Sequence, residues 1–455
     1  MTYFIFVVRC NSSFLIKKIN NRAMGLAQLS ESSEKIKVAI VSENASLKMG
    51  GEAALPLHYF RLLRKYNIPA WLLVHRRNKK ELQSLFPGEM ETIHFIEDTF
   101  LHRSIRILKR IVPSAIYEFS FNYILLMVTQ YQVKYFLKTL IQNHKINLVH
   151  QPNPVSPKEP SLLFNLGVPI IIGPMNGGMN YPPSFEFMQT KQAEYTINLG
   201  RFVADLLNFW FPGKRKANIL IVANQRTQNC LPVKIQGMVM ELVENGVELS
   251  LWEPNCESNC NRNYTKFIFI GRLVDWKGVR WLLLAFQQVR EQAPAFLDIV
   301  GSGKERNCLE QQVRSLGLTD AVSFYGKLTQ PECAKRLQES DVLVLPSLRE
   351  CGGAVVLEAM ATEIPVIATN WGGPADYIDE SCGILINPTS PETFVNELAQ
   401  AMITLAKSPD LRRAMGKAGR QRVIQHFDWD AKITQMISIY QTAIATSKST
   451  NQGSV

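Results

Sequence analysis

Short, unbroken apolar runs alternate with amphipathic stretches along almost the whole chain. In the first half the runs are Ile36–Ser42, Ala70–Val74, Ile146–Gln151, Val168–Ile172 and Asn218–Ala223. In the second half they are Lys266–Gly271, Phe296–Val300, Ala321–Tyr325, Asp341–Leu345 and Ile364–Ala368. A strand that is apolar without alternation is buried on both faces, and strands spaced by helical stretches build parallel sheets covered by helices on either side. The pattern therefore predicts an α/β protein made of two doubly wound, Rossmann-like parallel-sheet domains. Asn255–Asn263 (Asn-Cys-Glu-Ser-Asn-Cys-Asn-Arg-Asn) has the composition of a linker, so the boundary is expected near residue 255. The first domain then covers 36–250 and the second 255–427. In such sheets ligands bind beyond the carboxyl ends of the strands, which directs attention to the strand-to-helix loops of an interdomain cleft.

Residues 1–35 do not join this pattern. The apolar stretch Tyr3–Val8 has no basic segment ahead of it and is followed by Arg9, Lys17 and Lys18, the reverse of a secretory signal. The segment is expected to be a poorly structured extension, with Met24 as an alternative start. No run reaches 18 consecutive apolar residues, so a spanning helix is not expected. The 8 cysteines in 455 residues are sparse and irregularly spaced, which favours a reducing, cytoplasmic setting. Hydrophobic residues at 46% and charged residues at 20% exclude disordered, collagenous and disulfide-scaffold classes.

Charge changes the picture more than composition does. The net charge is +11, and it is concentrated: Arg61 to Lys80 holds seven basic residues and no acid, and Leu101 to Lys145 seven against Glu118 alone. Within the second window Leu101–Val112 reads as a helix stopped by Pro113, with Leu101, Ile105, Leu108 and Val112 on one face and Arg103, Arg106 and Arg110 on the other. The basic excess of the first domain points to an anionic membrane surface or an acidic acceptor.

Four loops carry candidate chemistry. Arg349-Glu350-Cys351-Gly352-Gly353 follows the run Asp341–Leu345 and opens a helix at about Ala354. Its glycines allow close backbone approach, and the first helical amides, at Ala354 and Val355, suit phosphate. Glu358 lies one turn into the helix, on the same rim as Glu350, and suits hydroxyl groups. The run Lys266–Ile270 ends in Gly271 and delivers Arg272 and then Lys277, two cations flanking one turn, as neutralising a diphosphate requires. Met49-Gly50-Gly51-Glu52 and Gly173-Pro174-Met175-Asn176-Gly177-Gly178 are glycine turns at strand ends of the first domain.

This ordered set resembles family 4 of the retaining glycosyltransferases, of the GT-B fold. Glu350 and Glu358 reproduce that family's two glutamates with seven residues between; Arg272 and Lys277 match its Gly-Arg-Leu-x-x-x-Lys-Gly signature. Asn245-Gly246-Val247-Glu248 is similar to its interdomain turn and Gly372-Gly373-Pro374-Ala375-Asp376 to its late glycine turn. The resemblance implies a hexosyltransferase-type enzyme that moves a sugar, with retention, from a nucleoside-diphosphate sugar to a hydroxyl, in cell-surface polysaccharide or glycolipid synthesis. Arg272 and Lys277 would hold the diphosphate with amides at Gly353, Ala354 and Val355; Glu358 would hold the ribose and Glu350 the transferred sugar. Gly51 would approach the diphosphate from across the cleft. Asn176 and His150 are the acceptor-side candidates, and residues 428–446 would form a helix crossing back onto the first domain. The implied partners are the nucleotide sugar as co-substrate and a sugar or lipid-linked acceptor, with peripheral contact to an anionic membrane; no metal, no cofactor and no nucleic acid are expected. The residue before Gly353, often Phe in the family, is here Gly352, which predicts a less bulky wall beside the sugar.

Other readings fit less of the sequence. Gly301-Ser302-Gly303 is followed by Arg306 where a dinucleotide fingerprint needs a third glycine. Cys256 and Cys260 have no third cysteine or histidine nearby for zinc. A glycoside hydrolase would use two carboxylates but gives no role to Arg272 and Lys277. A non-enzymatic basic binder of nucleic acid would need aromatic residues among its cations, and the basic windows have few.

Overall fold

The computed structural model describes residues 36–49, 51–108, 121–189, 191–254 and 262–452. The expected extension 1–35, Gly50, the end of the Leu101–Val112 helix with Pro113, and most of the linker after Asn255 lie outside the described residues. Two sheets form the chain. The first has the order β3-β2-β1-β4-β5-β6-β7, the second β10-β9-β8-β11-β12-β13, and every pairing is parallel. The two parallel, doubly wound sheets are those the apolar runs predict, and they have the GT-B architecture that the resemblance implies. The first sheet runs β1 (Val38–Val41), β2 (Ala70–His75), β3 (Ile93–Ile96), β4 (Leu148–Gln151), β5 (Ile170–Met175), β6 (Ile219–Val222) and β7 (Met238–Glu241). The second runs β8 (Thr265–Ile270), β9 (Ala295–Val300), β10 (Val322–Gly326), β11 (Val342–Leu345), β12 (Val366–Thr369) and β13 (Gly383–Ile386).

Strands β3, β7 and β13 are not among the apolar runs. All three are edge strands, half open to solvent, with two inner residues only partly buried in β3 and β13 and none fully buried in β7. An edge strand has no second neighbour to exclude water, so its sequence need not be continuously apolar.

Helices close both faces. The final helix, Trp429–Gln452, belongs in space to the first domain: Trp429, Ile433, Met436, Ile437, Tyr440, Ala443 and Ile444 pack with Tyr59, Phe60 and Leu63 of the helix Gly51–Lys65. Their spacing is one face of a 3.6-residue period. The chain crosses between domains twice side by side, where the Val247 amide donates to the Phe427 carbonyl at 2.9 Å. Lys432, fully buried, donates to the carbonyls of Val243 and Asn245 and so ties the turn before this crossing to the returning helix.

The tertiary structure redraws the charge map. Of the seven cations between Arg61 and Lys80, five meet acids from distant segments: Arg61 with Glu248, Arg64 with Glu89, Lys65 with Asp430, Arg76 with Glu97 and Arg77 with Glu43. The first basic window is therefore largely compensated by acids from other segments. The helix of the second window runs Phe100–Leu108. It turns His102 and Ile105 inward and leaves Phe100, Leu101 and Ile107 exposed, a face rotated from the one the periodicity predicts, because buried His102 bonds Thr99 and Thr129 on its two ring nitrogens.

Candidate active site

The cleft is built from loops at the carboxyl ends of β8 and β11. The β8 loop is locked from beneath: the Gly271 amide donates to Val300 and the Leu273 amide to Ser302. Gly301, at φ +139°, lies so close that a β-carbon there would fall 1.8 Å from the Gly271 carbonyl oxygen, and one on Gly303 2.1 Å from that of Leu273. The Gly-Ser-Gly segment, which is no dinucleotide fingerprint, thus lets β9 press directly under the loop that carries Arg272. Gly278 (φ +73°) does the same on the other side, against the Pro346 carbonyl.

On this frame Lys277 pairs with Glu350, both side chains largely buried. The structure thereby unites two groups 73 residues apart in sequence. Arg272 is exposed, its guanidinium 5.9 Å from the ring centre of Trp276, and no acid pairs with it among the described residues. Gly353, at φ +88°, is the N-cap of the helix Ala354–Ala361, so the Ala354 and Val355 amides begin that helix beside Glu350. Glu358, one turn on, is held in surroundings that push its carboxyl up to about 7 through burial alone. Arg272, Lys277, Glu350 and Glu358 thus follow the carboxyl ends of the neighbouring strands β8 and β11. Gly51 opens the helix Gly51–Lys65, and nothing stands within 4 Å of where its side chain would be.

The first domain closes the cleft through Asn176, whose amide nitrogen donates to the Cys351 carbonyl at 2.9 Å. Arg226 donates to the Asn176 side-chain oxygen at 3.3 Å and lies 3.7 Å from Asp376; Asn224 donates to Asp376 at 2.8 Å. Asn176 thus reaches the cleft, but as a domain contact. His150 does not reach it. It has no exposed surface, its Nε2–H donates to the Gly173 carbonyl at 2.7 Å, and its Nδ1 accepts from the Tyr440 hydroxyl at 2.7 Å. Burial drives its pKa down to about 4. Both nitrogens are used inside the core, so the placement at the end of a strand, which suggested an acceptor contact, reflects packing against the returning helix.

Gly352 also differs from expectation. A β-carbon there would lie 2.3 Å from Asn245 Nδ2 and 2.4 Å from Glu244 Oε1. The space that a bulky residue would take is filled by the interdomain turn, so the wall is not left open. Asn224, Arg226 and Glu244 were not singled out by sequence reasoning. Asn224 caps its own short helix through the Thr227 amide, a local signal that marks a helix start and says nothing of the cleft.

Residues 256–422 match the family model described as Glycosyl transferases group 1, a stretch that coincides with the second sheet and its helices. The second domain is thus similar to that family. The chain is 29% identical over 204 residues to glycogen synthase of Mycobacterium tuberculosis, 44% of this chain and 48% of that one. The chain spans about half the length of the curated relatives it matches. Over 90% of its length it has the fold of sucrose-phosphate synthase from Thermosynechococcus elongatus, all of which is covered, with a TM-score of 0.63 and 20% identity. It shares the fold equally with HepE of Anabaena, solved with UDP, at a TM-score of 0.59 and 17% identity over 90% of this chain and 100% of that one.

Proposed function

We propose that this protein is a retaining glycosyltransferase that moves a hexose from a nucleoside-diphosphate sugar to a hydroxyl acceptor in polysaccharide or glycolipid synthesis. The observation that carries the reading is the Lys277–Glu350 pair, which joins the loop of unpaired Arg272 to the loop of the Ala354 helix start across the neighbouring strands β8 and β11. HepE, of the same fold, has been solved with UDP-glucose, which supports a nucleotide-sugar donor. In the transfer the donor's C1–O bond to the diphosphate breaks, the acceptor oxygen bonds C1, and the acceptor proton passes to the departing phosphate oxygen. Arg272 and the Ala354 and Val355 amides stabilise that departing charge. Lys277 exchanges Glu350 for a phosphate oxygen, and the released carboxylate takes hydroxyls of the sugar. Thermal shift and donor hydrolysis with UDP-, GDP- and ADP-sugars test the reading; no response to any of them refutes it. Because Arg272 and Lys277 supply the positive charge, the reading assigns no metal, and turnover is expected to persist in excess EDTA.

Glu358 gives this reading a pH signature. Ribose hydroxyls donate to it, so binding needs the carboxylate, which is only half formed near pH 7 in the free protein. Affinity for UDP-glucose, whose diphosphate does not titrate in this range, should weaken about tenfold from pH 8 to pH 6. Calorimetry should show the dependence flattened in Glu358→Gln. Stability responds oppositely: a raised carboxyl pKa contributes stability that is full below 4.5 and is lost as pH rises through about 7.

The reading places the protein in the cytoplasm, at the inner face of a membrane. No helix among the described residues is long and apolar enough to cross one. The helix Lys191–Trp210 instead lines up Leu199, Phe202, Leu206, Phe209 and Trp210, each about half exposed or more, next to Arg215 and Lys216. Apolar groups rimmed by cations suit an anionic bilayer surface. Flotation with phosphatidylglycerol vesicles is expected to carry the protein, and a Phe202→Ser/Phe209→Ser variant should stay behind; equal flotation of both would remove this surface.

A further inference from the structure

The first domain contains a cavity of about 250 Å³ between the carboxyl ends of β1 and β4. These are the strands from which the chain departs in opposite directions across the sheet, the position where doubly wound sheets take ligands. Its polar lining includes Glu43, Asn44, Glu52, Asn153 and Glu159. Among the described residues, no lysine or arginine lines it. Asn153 is nine-tenths buried, and its side-chain oxygen has no partner. The amide orientation is settled, because Nδ2 donates to the Glu52 carbonyl at 3.0 Å and to Ser42 at 3.3 Å. The Asn44 side-chain oxygen is likewise buried and unpartnered. A buried acceptor without a donor is costly, so both oxygens point to a ligand that supplies hydrogens.

One short segment ties the cavity's wall to the cleft. The Val155 amide donates to Glu52 Oε1 at 3.0 Å, and the Val155 carbonyl accepts from the Asn176 amide at 2.8 Å. Asn176 in turn holds Cys351 of the second domain. We infer that this cavity receives the acceptor, and that the part entering it is an uncharged, hydroxyl-rich sugar with no phosphate or carboxylate. The inference rests on the glycosyl-transfer reading and specifies its second substrate. Glu52, Glu159 and the two carboxamide oxygens present acceptors to a donor-rich ligand, Glu43 being already paired with Arg77, and with no cation in the lining nothing there compensates an anion. Leu126, Val133 and Leu163 supply an apolar side for the C–H face of a sugar ring. Lys214, the nearest buried cation, is engaged by the Ser156 carbonyl at 2.6 Å behind Glu159. Arg77 meets the cavity only through its pair with Glu43, and the other cations that make the domain basic are not part of the lining.

The test uses the full chain with UDP present. Saturation-transfer NMR is read for methyl glucoside, methyl mannoside and methyl galactoside against glucose 6-phosphate and mannose 6-phosphate. At least one neutral glycoside is expected to bind and the sugar phosphates are not. Leu126→Trp, which fills the cavity from a partly exposed helix position, should weaken that binding about tenfold or more while leaving UDP affinity unchanged. Glu43→Lys, at a side chain 33% exposed, is an independent variant that should lower neutral binding and admit the phosphates. Binding of the phosphates alone to the wild type, or neutral binding untouched by both variants, overturns the inference and leaves the transfer reading intact. Failure of the wild type to bind UDP, GDP or ADP overturns that reading itself.

Discussion

Arg272→Ala is expected to lower kcat by about 10²–10³-fold, the range for removing one donor aimed at charge that develops in the transition state. The structure explains why this cation and not its neighbour should dominate. Arg272 is exposed, leans on Trp276 and has no acid against it among the described residues, so in the proposed transfer its full charge would be free for the departing diphosphate. Lys277 already has Glu350. The loop itself should survive the change, because Gly271, Leu273 and the glycines Gly301 and Gly303 that follow β9 hold it through backbone contacts that Arg272 does not share. Steady-state kinetics beside a thermal melt separate the two: lost turnover at an unchanged Tm is the expected result, and near wild-type turnover would remove Arg272 from the site.

The second large effect has opposite signs in binding and in catalysis. Glu350→Gln should reduce transfer by about 10²-fold, since the group that holds the sugar's hydroxyls loses its charge. The same change releases Lys277 from a largely buried pair. Breaking such a pair leaves a cation in want of a partner, and a diphosphate is one. Affinity for the free nucleoside diphosphate should therefore hold or tighten by up to about tenfold, equivalent to ~1.4 kcal/mol. Calorimetry with the nucleotide and single-turnover transfer with the sugar nucleotide measure the two sides. A parallel loss of both would show that Glu350 serves the fold of the loop and not the sugar.

What was legible in the chain follows from physical periodicity. Strands buried on both faces must be apolar throughout, so the central strands of both sheets stand out in sequence; the edge strand β10 does as well, whereas the edge strands β3, β7 and β13, each with residues only partly buried, do not. The two candidate loops were legible because each is local: Gly271 to Lys277 and Glu350 to Glu358 each follow a single strand, and those strands, β8 and β11, are neighbours. His150 misled for the complementary reason. It ends a strand in the right place, but its two nitrogens are occupied by Gly173 and by Tyr440, the latter 290 residues away.

By itself the sequence determined two parallel-sheet domains, the loops that carry chemistry and the residue types in them, since these depend on hydrophobic period and short-range spacing. Only the tertiary structure decided how the charges are shared. It gave five of the cations between Arg61 and Lys80 acidic partners from other segments, joined Lys277 to Glu350, filled the space beside Gly352 with Glu244 and Asn245, and left an acid-lined cavity inside a basic domain. Coulomb interaction acts over distance in space, and only folding sets that distance.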